Sequence, residues 1–179
     1  MGKKTIVILV VCVMALACVY AESSSAGVLE LSVIPSSFQM IKVGDDVYSS
    51  TDGFGASVGY MYNVWEGLSV GAALEWSNYK QEKLLSYGSF NNIAILARFS
   101  YRLGLSEKVF ADAGLGLGYE MTVVGENISN SFITELNGNF GIIIDDVFSL
   151  LAGAKAKAAI QKTAKVYSVL PFVGADISL

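Results

Sequence analysis

Histidine does not occur in this 179-residue chain, and proline and cysteine occur twice each. Without imidazole a serine has no obvious general base, and no paired-carboxylate site stands out, so no catalytic role is expected. Both thiols, Cys12 and Cys18, lie in the first 21 residues. The rest of the chain offers neither imidazole nor thiolate to a transition metal, and no disulfide. No cofactor motif is present. Basic runs are missing as well: the net charge is −4, which argues against nucleic acid as a partner. Past residue 21 no apolar run approaches the roughly 18–20 residues that a membrane-spanning helix needs. A bilayer could then be crossed only by strands closed into a barrel.

The first 21 residues form an export signal. Lys3 and Lys4 supply a positive start, Ile6 to Leu16 an apolar core, and Val19–Tyr20–Ala21 small residues around a cleavage point. Cleavage after Ala21 removes both lysines and lowers the net charge by two, to −6. A looser alternative is lipidation at Cys18, which comes after Ala15–Leu16–Ala17. The remaining 22–179 reads as one domain.

Alternation with period two predicts eight strands, at 27–40, 53–63, 68–80, 90–103, 109–123, 132–144, 148–160 and 166–179. Each reaches the ~9–11 residues of a tilted transmembrane strand. The connections 64–67, 104–108 and 145–147 are tight, whereas 41–52, 81–89, 124–131 and 161–165 read as longer or more polar loops. Outer-membrane barrels place short turns in the periplasm, so both termini are expected there. Alanine-rich 149–161 has helical propensity, but its lysines Lys155 and Lys157 share one parity, which favours a strand.

One face of these strands is apolar, with Leu68, Val70, Leu74, Ile93, Ile95, Leu115 and Leu117; the other carries Gly114, Gly116, Gly118, serines and ions. A soluble barrel would turn that second face to water, where successive glycines cover nothing. Inside a narrow eight-stranded lumen they relieve crowding. Tyr62, Phe99, Tyr101 and Phe148 fall near the short turns, and Trp76, Tyr119, Phe132 and Tyr167 toward the other end, as two interfacial girdles would. The fold expected is therefore all-β, an eight-stranded antiparallel up-and-down transmembrane β-barrel. Glu30, Glu75, Arg98, Arg102, Asp112, Glu120, Glu135, Lys155, Lys157 and Asp176 all take the inward parity. Tight-turn alignment sets Glu135 opposite Lys157 and Arg102 diagonal to Asp112. Such charges must pair or be hydrated: they either plug the lumen or line a narrow polar path.

Hairpins of the form Tyr–x–turn–Leu–Ser–small, best seen at Leu68–Ser69–Val70–Gly71–Ala72, resemble the small outer-membrane β-barrel family that includes OmpX, OmpW and the transmembrane domain of OmpA. The resemblance covers nearly all of 27–179. It implies outer-membrane lipids as surroundings and the barrel-assembly machinery as a partner in biogenesis. Barrels of that family usually end on an aromatic residue, where this chain has Leu179. The external ligand is not implied. Expected roles are a structural or surface-interaction protein with a plugged lumen, or a conduit for small solutes, hydrophobic ones included. A periplasmic lipocalin-like binding barrel is a further alternative. Asp45–Asp46 and Asp52 read as solvated loop acids, Asn127–Ile128–Ser129 as a turn, and Gly114–Leu115–Gly116–Leu117–Gly118 as strand rather than phosphate loop.

Overall fold

The computed structural model describes residues 27–50, 52–80, 90–160 and 164–179. The export signal with Cys12 and Cys18, the connection 81–89 and most of 161–165 lie outside the described residues.

Alternating sequence becomes strand throughout, and the described residues contain no helix. The ten strands are β1 (Gly27–Ile34), β2 (Phe38–Val43), β3 (Asp46–Ser50), β4 (Asp52–Trp65), β5 (Leu68–Lys80), β6 (Phe90–Gly104), β7 (Val109–Val124), β8 (Asn127–Ile143), β9 (Phe148–Ile160) and β10 (Lys165–Ser178). The alanine-rich stretch is β9, so the period prevails over helix propensity.

Ten strands make eight staves. β4 to β10 pair antiparallel in chain order, and β1 closes the cylinder by pairing with both β4 and β10. β2 continues the stave begun by β1, and β3 the stave of β4. Closure leaves no sheet edge along the barrel body, as hydrocarbon requires.

The first stave is not the single strand expected at 27–40. It breaks at Pro35–Ser36–Ser37, and the pairing with β10 slips there by one residue. Val33 pairs with Val173, but the ladder resumes only at Phe38 with Val169. The extra residue exchanges the faces: Ser32 and Ile34 point inward, then Ser37 and Gln39. Pro35 and Pro171, the only prolines in the sequence, flank this interruption and bring no N–H to it.

Two expected long loops are instead hairpins. The segment 41–52 contains the end of β2, a two-residue turn at Gly44–Asp45 and all of β3. Likewise 124–131 is a turn at Gly125–Glu126 followed by the first residues of β8, so that strand starts at Asn127 rather than near 132. Gly44 (φ 61°) and Gly125 (φ 57°) hold the first central position, where a II′-type hairpin turn demands positive φ. Among the described residues tight turns therefore occur at both ends of the barrel, and one end is distinguished by its projecting hairpins.

Leu115, Leu136, Phe140, Ile142, Val33 and Val173 project outward and are half or more exposed, while Arg98, Glu75, Glu135 and Lys155 are nearly or wholly inaccessible. This inversion is that of a barrel solvated by lipid and does not fit a lipocalin-like barrel in water. Burying the outer face of a soluble protein is worth about 25 cal/mol per Å² of apolar surface, and here the solvent must supply that.

Candidate functional site: the charged lumen

Antiparallel register and parity together decide what meets on the axis. β5 contributes Glu75, β6 Arg98, β8 Glu135 and β9 Lys155 and Lys157, all facing inward at mid-barrel. Glu75 is the centre. It meets Lys157 through Oε1, and its Oε2 receives Lys155 Nζ at 3.1 Å and lies 3.6 Å from Arg98. Arg98 approaches Glu135 at 2.9 Å and Glu30, on β1, at 3.6 Å. Lys155 also donates to Ser57 Oγ (2.9 Å) and lies 4.9 Å from the Phe172 ring centre. Three cations and three carboxylates thus balance one another, all of them shielded from solvent except Glu30, which is 15 % exposed. Buried ions of this kind are tolerated because each has partners.

A second group lies toward the turns at 66–67, 105–108 and 144–147. Arg102 donates through Nε and Nη2 to both oxygens of Asp112 at 2.8 Å, and Nη2 also reaches Asp176 at 2.6 Å. Its guanidinium sits 3.7 Å from the Phe110 ring centre. The fork of arginine suits this bidentate geometry. Arg102 and Asp112 are direct register partners, not the diagonal pair expected, because Gly104 pairs with Phe110 across the turn. Around them opens a vestibule of about 840 Å³, lined also by Asn63, Ser69, Asn137 and Asn139 and floored by Glu30 and Arg98.

Glu120, the last of the inward charges, stands apart on the hairpin side. It is 94 % shielded from solvent and belongs to neither group. Lys157 acts on it electrostatically while making its short contact with Glu75.

The lumen is less polar than expected. Leu96 and Ile133 are fully buried between ions, and Ile34, Tyr79, Phe110, Leu151, Leu170 and Phe172 form an apolar cluster inside. Phe110 packs on Gly141, where any side chain would collide with its ring. These residues share the inward parity, but an inward apolar residue looks no different from an outward one until the faces are assigned.

The aromatic side chains divide by level. Phe99, Tyr101, Trp76, Tyr119, Phe132 and Tyr167 are exposed on the outer surface, while Tyr62 and Phe148 are half-buried. Trp65 and Phe140 toward the short turns, and Phe54 edge-on to Trp76 at 5.2 Å, belong to the same outer surface and were not among the aromatics expected there. Trp65 ends β4 beyond the register shift that follows Asn63, outside the strand alternation that points to the others.

Neither a protein-family model nor a curated protein matches this chain. Solved structures do. Neisserial surface protein A, NspA, superposes with a TM-score of 0.65 at 17 % identity, over 86 % of this chain and 97 % of that one. Ail, the attachment invasion locus protein of Yersinia pestis, gives 0.52 at 15 % identity, over 85 % and 99 %. At such identities the likeness is one of fold, and the fold is the closed eight-stranded antiparallel barrel of small outer-membrane proteins.

Proposed function

We propose that the mature chain is an integral outer-membrane protein with a structural or surface-interaction role. On this reading the barrel is an anchor closed to axial flow, and the β2–β3 and β7–β8 hairpins carry its recognition surface beyond the bilayer. The observation that carries it is the mid-barrel network: Arg98, Lys155 and Lys157 against Glu30, Glu75 and Glu135, with Leu96 and Ile133 packed between. Eight strands enclose little more than packed side chains, so a network of ion pairs spanning the lumen there leaves no continuous water path.

In this proposal the leader is cleaved after Ala21, the barrel-assembly machinery inserts the chain, and both termini face the periplasm with the short turns. The lipid-facing residues solvate it, and the girdle aromatics anchor it at the two interfaces. On this reading it is not an enzyme: the sequence offers no histidine to activate a lumenal serine.

Reconstitution into planar bilayers tests the closed anchor. Wild type is expected to give no stable unitary current. A steady conductance altered by Lys155→Ala or Glu135→Ala would replace the anchor with a channel. One observation favours that second reading, the wide vestibule on the short-turn side, which would be its inner mouth.

A further inference from the structure

We propose that the lumen on the hairpin side of the ion network holds a small monovalent cation, with Glu120 as its charged ligand and Asn92 and Ser131 as neutral oxygen ligands. Among the described residues the lumen carries four cations, Arg98, Arg102, Lys155 and Lys157, against six carboxylates. Three of each cancel at mid-barrel, and Arg102 serves both Asp112 and Asp176. Glu120 is then the buried carboxylate left without a direct ion pair or hydrogen bond among the described residues. A shielded anion must be paired or hydrated. Lys157, which acts on it from a distance, is held by Glu75.

The surroundings supply oxygen. Glu120 is the direct register partner of Ser131 on β8 and, on β6, of Ala94. Asn92 pairs with Thr122 and is therefore diagonal to Glu120 on the same inner face. Direct partners stand about 5 Å apart at Cβ and diagonal ones about 7–8 Å, so the three side chains converge on one patch. Asn92 Oδ1 and Ser131 Oγ have no hydrogen-bond partner among the described residues, and both residues are at least 97 % shielded. Ala94, the register partner of both Glu75 and Glu120, separates the two carboxylates with a side chain that offers neither of them a hydrogen bond. A carboxylate with carbonyl and hydroxyl oxygens suits a hard cation. One uncompensated negative charge matches a single positive one, whereas the calcium sites of proteins usually gather several carboxylates.

The folded chain in detergent tests this with sodium as probe. The heat-modification midpoint is measured in sodium chloride and in N-methyl-D-glucamine chloride at equal ionic strength, with the sodium-23 line width alongside. Wild type is expected to melt a few degrees higher in sodium and to broaden the sodium signal. Glu120→Gln is expected to abolish both while keeping the mobility shift of a folded barrel. Should Glu120→Gln not fold, Ser131→Ala must still shrink the sodium-dependent shift. Equal wild-type midpoints in the two salts would overturn the site. So would a sodium effect that survives in Glu120→Gln, or an infrared band showing Glu120 as a neutral acid in sodium at neutral pH.

Discussion

Glu135 and Lys157 are direct register partners across β8 and β9, yet each finds its ion pair elsewhere: Lys157 turns to Glu75 and Glu135 to Arg98. Two strands that are neighbours by hydrogen bonding are thus tied through the lumen to β5 and β6. The network braces the cylinder across its diameter and not merely along a seam.

Glu75→Gln is accordingly the most damaging single change in the lumen. It strips a carboxylate from three cations and leaves Lys155 and Lys157 buried without their main partner. The loss expected is about 3–5 kcal/mol, the range for breaking a buried pair from one side. Urea unfolding of the barrel in lipid vesicles measures it, and Glu135→Gln, with one cation contact under 3 Å, should cost less.

The same geometry separates what is legible in the sequence from what is not. Parity along each strand depends only on sequence, so all ten inward charges, and the register that sets Glu135 against Lys157, can be read there. Side chains as long as lysine and arginine reach past their register partner. Which distant carboxylate they meet depends on barrel tilt and closure, which no single hairpin encodes. The break at Pro35–Ser37 is hidden for a related reason: alternation runs on unbroken if one residue is skipped silently. The Val43–Gly44–Asp45 and Val124–Gly125–Glu126 turns carry a usable signal, a glycine at the first of two turn positions between alternating residues.

Arg102→Lys should destabilise the short-turn end by about 1 kcal/mol. A point charge cannot grip both oxygens of Asp112 and still reach Asp176, and partial exposure limits the loss. A shift in unfolding midpoint that is smaller than for Glu75→Gln, and that shrinks in high salt, is the expected signature.

Gly141→Val drives a side chain into the Phe110 ring. Overpacking of this kind costs about 1–3 kcal/mol. Pairing it with Phe110→Ala should restore part of the loss, and a double-mutant cycle in vesicles reads the coupling.

Cysteine introduced at Ser49 or Ser129 lies on β3 or β8 in the projecting hairpins, at exposed positions. An impermeant thiol reagent is expected to label both on intact cells. Labelling confined to lysed cells would reverse the orientation proposed for the barrel.

Backbone amide exchange should be uneven around the cylinder. Ile34, Ser36, Ser37, Leu170 and Phe172, which border the stretch between the Val33–Val173 and Phe38–Val169 pairs, are expected to exchange before Leu96 and Leu117 in the uninterrupted β6–β7 ladder. Nuclear magnetic resonance in nanodiscs resolves the two sets.

That interruption also sets how the tube answers mechanical load. A hoop stitched all round shares lateral pressure evenly, but one with a few stitches dropped yields at that place first. Squeezed by a bilayer of changing thickness, this cylinder should flex along the line where its first and last staves meet, leaving the braced β5–β9 wall almost still.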